Sequence, residues 1–401
     1  MRECALKVLY EVDKGAYLDV VLKSALANGV SDLDRRFLTE LTYGVQSYRA
    51  RLDHIIGYYS KIPFKKISPW IKNILRLGIY QILFLDKVPE SAAVNESVKL
   101  AKRYGHGASA NFTNGLLRSV IKGGDPTEPA DLENFYSYPK WMVELWKDEY
   151  DDEFVKDLLK ANNQKAPVTI RPNTLKISRE ELVEKLSGHE HGDMIEVNGM
   201  GNIEKRQEYQ DGLFTVQDGA SYQASKVLDP QSGELVLDLC AAPGGKTTHI
   251  AELMSNSGEI HAFDIHPHKI ELIEKNAERL GINNIRARVQ DAKEFMPEFE
   301  CMADRVLVDA PCSGLGVLRR KPDIKWKKEL KDIEVLADIQ NRILQNAVRY
   351  LKKGGTLVYS TCTVSKKENH PVAGLEPLFE KQFFPHIDGT NGFYIFKGIK
   401  I

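Results

Sequence analysis

The sequence predicts a multidomain chain: an all-α helical bundle, a small α+β connecting module and a C-terminal α/β Rossmann-like domain. Three observations predict it. Apolar residues recur at helical spacing through about the first 122 residues. A Gly-, Pro- and acid-rich stretch, "KGGDPTEPADLEN", then interrupts the pattern. From Gly212 onward apolar strands alternate with helical stretches, the texture of a parallel, doubly wound sheet. A chain of 401 residues has room for two or three such units. The composition shifts set the boundaries at residues 1–125, 126–211 and 212–401.

In the first part, "ALKVLYEV" carries Ala5, Val8, Leu9 and Val12 on one helical face. "SDLDRRFLTELTYGV" opens with a capping Ser31 or Asp32 and buries Phe37, Leu38, Leu41 and Val45. "SPWIKNILRLGIYQILFL" is the most apolar helix, with Ser68 as cap and Pro69 in the first turn, where proline is tolerated. In the middle part "YPKWMVELWKDEYDDEFVKDLLKAN" and "SREELVEKLSG" are helical, and "APVTIRPNTLK" is a strand up to a turn at "RPN". The last part offers five strands: "ELVLDLCA", "EIHAFDIH", "NIRARVQDA", "DRVLVDAP" and "GTLVYSTCT". Helices are expected at "GKTTHIAELM", "PHKIELIEKNAERLG", "AKEFMPEFE" and over residues 327–355, and "FFPHIDGTNGFYIFKGI" closes the chain as a hairpin.

Apolar content of 42% with 28% charged residues fits a globular protein, and no apolar run approaches bilayer length. Five scattered cysteines without a CxxC pair indicate neither a disulfide framework nor a metal site. The N-terminus has no signal-peptide core, so a reducing, cytoplasmic setting is expected. Residues 1–125 hold 19 Lys and Arg against 12 Asp and Glu, within a chain of net charge −1. A basic module joined to an acidic one suits a polyanion-binding unit attached to a catalytic one.

The loop "DLCAAPGGKTT" looks at first like a phosphate cradle. A Walker loop, however, needs glycine five residues before Gly245, where this chain has Cys240. It is not G-x-G-x-x-G either, which disfavours a dinucleotide. What remains is Asp238 at a strand end, a turn through Ala242, Pro243, Gly244 and Gly245, and a helix starting near Lys246. Asp264 ends the second strand, placed to accept hydrogen bonds from two ribose hydroxyls, and Asp291 ends the third, within reach of an adenine amino group. A ribose clamp without a diphosphate cradle fits S-adenosylmethionine better than NAD or ATP.

Cys312 and Cys362 fall at the ends of the fourth and fifth strands, over the same crevice. Two thiols facing a methyl donor suggest methylation of cytosine C5. One thiolate adds to C6 and activates C5, and the second assists release. Asp309 is placed to bond the ring edge, and Lys246 to orient the base or lower a thiol pKa.

Together "DLCAAPGGKT", "DAPCSGLG" and "YSTCT…KEN" resemble the RNA cytosine-5 methyltransferases of the NOL1/NOP2/Sun group, which have class I methyltransferase domains. The resemblance implies Cys362 as nucleophile and Cys312 as release base. It implies cofactor contacts through Cys240, Ala241, Ala242, Pro243, Gly244, Gly245 and Lys246, with Asp264, Asp291 and Asp309. "RECALKVLYEVDKG", "LTYGVQSYRARLD" and "PESAAVNESVKLAKRYG…NFTNGLLRSV" resemble the antitermination factor NusB, and "YPKWMVELW" and "IRPNT" resemble the family's connecting region. That fusion is similar to the Sun/Fmu branch acting on small-subunit (16S) ribosomal RNA. A monomer without metal is expected. After "KKEN" the chain is shorter than the family pattern, which is expected to leave a sheet edge less covered.

The basic stretch "LRRKPDIKWKKELK" suggests a grip on RNA phosphates, with Trp326 either stacking on a base or anchoring the core. Two alternatives stay open on the residues alone. One is a transfer RNA or DNA substrate, the DNA case making Cys312 the attacker. The other is a non-catalytic RNA-binding scaffold.

Overall fold

The computed structural model describes residues 1–27 and 29–401. They divide into two compact units, Met1–Gln164 with Leu318–Lys328, and Lys165–Val317 with Glu329–Ile401.

The first unit is helical. Ser31 accepts a hydrogen bond from the Asp34 N–H and caps helix Asp32–Ser47, and Ser68 caps Pro69–Phe84 through the Ile71 N–H. Leu9, Leu41, Ile55, Ile74 and Leu117, from five helices, are fully buried in one core. Arg76, inside the most apolar helix, is buried too. Asp53 takes its guanidinium at 2.7 and 2.8 Å and Asp13 takes it at 3.0 Å, the pairing a buried cation requires.

Residues 318–328 belong to this unit, and within them Lys325 and Lys327 are turned to protein oxygens rather than outward, which corrects the expectation of a phosphate grip for these two side chains. Lys325 is 1% exposed. Its ammonium donates to Asn163 Oδ1 (2.8 Å) and to the Ser47 and Ser137 carbonyls, and lies 3.6 Å from the Tyr138 ring centre. Burial pushes its pKa well below the ordinary lysine value. Trp326 Nε1 donates to the Gln46 carbonyl (2.8 Å) and Lys327 Nζ to that of Ala16 (2.6 Å). Helix-end and loop carbonyls need donors, and these side chains supply them, so of the two readings of Trp326 the anchor holds.

The second unit contains two sheets. Strands β1 (Val168–Pro172), β2 (His189–His191), β3 (Met194–Val197) and β4 (Phe214–Val216) form an antiparallel sheet in the order β2-β3-β1-β4. Helix Arg179–Leu186 opens with a capping box between Ser178 and Glu181, and Leu182 packs with Ile170, Ile195 and Phe214. The larger sheet comprises β5 (Leu235–Asp238), β6 (Glu259–Asp264), β7 (Ile285–Val289), β8 (Ala303–Asp309), β9 (Leu351–Thr361), β10 (Glu376–Phe383) and β11 (Phe393–Ile399). Its order is β10-β11-β9-β8-β5-β6-β7, parallel from β9 to β7. Val236, Leu237, Ile260, Phe263, Val306 and Leu307 are all fully buried, as in a parallel sheet covered on both faces.

Three local expectations are corrected. "AKEFMPEFE" forms only a single 3-10 turn, Pro297–Phe299, because Pro297 cannot continue a helix. Asp291 lies two residues beyond the end of β7. The closing pair of strands is longer than expected, beginning at Glu376, and its connection holds the short helix Pro385–Asp388. β10 forms the sheet edge and is exposed over Glu376–Lys381, where Pro377, Glu380 and Lys381 guard it against further pairing. No helix among the described residues is long and apolar enough to cross a membrane.

Candidate active site

Parallel strands deliver their C-terminal ends to one rim, and the site is built there. β5 ends at Asp238, which accepts a hydrogen bond from Thr247 Oγ1 at 2.7 Å. The chain then turns through the cis Ala242–Pro243 bond into helix Gly245–Leu253. Gly244 has φ +98°, which favours glycine, and a Cβ there would sit tightly against Ile273, 3.2 Å from its Cα. Burial pushes Asp238 up to about 7, and it raises the Cys240 thiol well above its ordinary range.

A cavity of about 350 Å³ opens beside this turn, lined in part by Cys240, Ala242, Asp264, Asp291 and Asp309. Asp264, at the end of β6, accepts from the His266 N–H (3.1 Å) and faces Lys269 Nζ at 3.4 Å. Asp291 accepts from the Lys293 N–H at 2.9 Å. Ala241, Pro243, Gly244, Gly245 and Lys246 do not line the cavity but shape the turn beside it. Carboxylates at two neighbouring strands, an apolar floor and a cavity of this size fit an adenosine-bearing ligand. The position five residues before Gly245 is Cys240, so this turn lacks the first glycine of a phosphate-cradling loop.

The second half of the site joins β8 and β9. Cys312 lies three residues past the end of β8 and Cys362 one past the end of β9, with their Sγ atoms 3.2 Å apart. Neighbouring backbone fixes this approach. Ala310 N–H donates to the Ser360 carbonyl (3.0 Å) and Gly316 N–H to that of Cys362 (2.9 Å). A Cβ on Gly316 would collide with the Gly392 carbonyl, so the turn after Cys312 admits no side chain there. Asp309 accepts from Ser360 Oγ at 2.8 Å and pairs with Lys246 Nζ at 2.6 Å. The hydrogen bond to Cys362 and then burial push the Cys312 thiol well above its ordinary range, with the charges of Cys362 and Glu368 adding to the effect. For Cys312 this is the reverse of the expected lowering by Lys246, whose charge is engaged by Asp309.

One supporting pair was not legible from sequence. Arg171 in β1 forms an ion pair with Glu252 of helix Gly245–Leu253, Nη2 to Oε1 at 2.8 Å, with side chains 1% and 2% exposed. Arg171 also donates to Gln217 Oε1 and to the Gly245 carbonyl (2.7 Å). The small sheet thereby holds the helix that follows the ligand turn. The only signal was an arginine beside proline in "IRPNT".

The chain matches three family models. They are the 16S rRNA methyltransferase RsmB/F over residues 225–375, the NusB family over 1–122, and the ferredoxin-like domain of RsmF/B-like methyltransferases over 138–192. It is 39% identical to a probable ribosomal RNA small subunit methyltransferase B of Bacillus subtilis (strain 168), covering 98% of this chain and 97% of that one. It is 34% identical to the ribosomal RNA small subunit methyltransferase B of Erwinia tasmaniensis, covering 97% and 96%. Among solved structures, PH0851 aligns over 100% of this chain and 98% of its own, with a TM-score of 0.82 at 28% identity. A methyltransferase homolog from Pyrococcus horikoshii aligns over 69% of this chain and 100% of its own, with a TM-score of 0.59 at 28% identity. With such coverage by relatives above 30% identity, and with the cysteine pair and ligand turn in place, the chain belongs to the RsmB family of 16S ribosomal RNA methyltransferases.

Proposed function

We propose that this protein methylates C5 of one cytosine in 16S ribosomal RNA, cytosine-967 by the family resemblance, through a covalent bond between Cys362 and C6. The observation that carries the reading is the convergence of two thiols, 3.2 Å apart, on the rim that also bears Asp309. S-adenosylmethionine, in the cavity bounded by Asp264 and Asp291, supplies the activated methyl group.

Cys362 attacks C6 as a thiolate and makes C5 nucleophilic. Asp309, held by Ser360 and Lys246, accepts a hydrogen bond from the cytosine 4-amino group and steadies the ring. The foremost cause of the raised Cys312 pKa is its bond to Cys362. Once Cys362 is bonded to C6 that cause is gone, which eases the Cys312 pKa downward although burial and Glu368 still raise it, and Cys312 gives its proton to solvent to become the base. It then takes the proton from methylated C5 while Cys362 leaves as a thiolate. One proton is released overall, and the pair returns to its starting state.

In this reading residues 1–125 bind RNA through phosphate contacts, 126–211 connect, and 212–401 catalyse, with the protein acting as a cytoplasmic monomer. Bisulfite mapping of 16S RNA from cells lacking the protein tests the substrate. One cytosine should lose its methylation and regain it on re-expression, and an unchanged map rejects the proposal.

A further inference from the structure

Each of two adjacent residues beyond the catalytic rim grips one of the cysteine loops. Glu368 is fully buried. Its Oε1 accepts from the Ser313 N–H (2.8 Å) and from Gln340 Nε2 (3.1 Å), and its Oε2 accepts from Ser313 Oγ at 2.5 Å. Ser313 directly follows Cys312. Asn369 turns to the other loop. Its Oδ1 accepts from Thr361 Oγ1 (2.6 Å) and its Nδ2 donates to the Thr363 carbonyl (3.0 Å). Thr361 and Thr363 flank Cys362. The loops are also joined directly, Ser313 Oγ to Thr363 Oγ1 at 2.8 Å. A hydroxyl has one proton, and that of Ser313 goes to Glu368, so Thr363 donates in this link. Tyr359 OH in turn donates to the Glu368 carbonyl at 2.6 Å and fixes the backbone at that point.

The geometry points to Glu368 and Asn369 as a two-sided clamp that sets the Cys312–Cys362 separation, making both of them positioning residues for methyl transfer. The inference rests on the cysteine roles proposed above. A buried carboxyl group is costly unless its oxygens are fully bonded, and here three donors converge on one side chain. Two of them come from the residue after Cys312. Such an arrangement stabilises one placement of the loop against alternatives. Misplacing reacting groups by about 1 Å costs on the order of 100-fold in rate.

The test uses the full-chain protein, unmodified 16S RNA and S-adenosylmethionine, with S-adenosylhomocysteine binding measured by calorimetry. Glu368→Ala and Asn369→Ala should each lower kcat by about 100-fold, with KM for RNA and S-adenosylhomocysteine affinity within about threefold of wild type. Glu368→Gln still accepts from Ser313 N–H and Gln340 and can donate to Ser313 Oγ, so it should recover kcat to within about tenfold of wild type. Ser313→Ala, a smaller change that spares the fold if Glu368→Ala does not, should lower kcat by about tenfold. Retained kcat in Ser313→Ala and Asn369→Ala overturns the clamp, as does a Gln variant no more active than the Ala variant. Cys362→Ala is assayed alongside. If it stays active, the cysteine assignment has failed. If it is inactive while the clamp variants are active, the clamp alone has failed.

Discussion

Lys246 Nζ and Asp309 Oδ2 lie 2.6 Å apart, which joins the helix after the ligand turn to the end of β8. Lys246 also lies over the Phe393 ring, 5.2 Å from its centre. Asp309 lines the ligand cavity whereas Lys246 does not. Their substitutions should therefore separate. Lys246→Met should lower kcat by roughly 10- to 100-fold by freeing Asp309, with S-adenosylhomocysteine affinity within about threefold of wild type. Asp309→Asn should reduce both. Paired calorimetry and single-turnover methylation measure the split.

The buried Asp238 gives the fold a signature in pH. Burial raises it to about 7 from 3.8; the Thr247 hydrogen bond and Lys246 oppose the shift and Asp309 adds to it. The native state thus holds a proton that the unfolded chain releases above its own pKa. This contribution to stability is full below about pH 4, falls as pH rises to about 7, and is flat above, with a limiting slope of about 1.4 kcal/mol per pH unit. Asp238→Asn keeps an acceptor for Thr247 and removes the titration. The stability of wild type minus that of the variant, from urea melts between pH 4 and 8, should fall over that window.

Lys325 and Lys327 donate to carbonyl and amide oxygens within the helical unit. Replacing both with alanine should lower the unfolding midpoint, since each lost partner leaves a buried acceptor unbonded at about 1–3 kcal/mol. The salt dependence of RNA binding should keep its slope, because both ammonium groups are engaged by oxygens of the protein itself. A flatter slope, seen in binding titrations from low to moderate salt, would return these residues to the RNA-binding surface.

Much of the rim was legible because α/β periodicity places strand ends. Asp238 and Asp264 end β5 and β6 as read, and Cys312 and Cys362 follow adjacent strands. Other features were hidden because they depend on distant partners. Arg171 and Glu252 are 81 residues apart in sequence. The run from Lys325 to Lys327 has the composition of a solvated basic face, and only the carbonyls of Gln46, Ser47 and Ala16 reveal it as an anchor. Local turn chemistry also prevailed over periodicity at Pro297, where a helix was expected and one 3-10 turn formed.

The division of labour between the two thiols is tested most directly by trapping the RNA adduct on a denaturing gel. With 16S RNA and S-adenosylmethionine, Cys312→Ala should accumulate a stable protein–RNA species, and Cys362→Ala should form none and transfer no methyl group. An adduct in Cys362→Ala together with none in Cys312→Ala would contradict the account and make Cys312 the attacking sulfur.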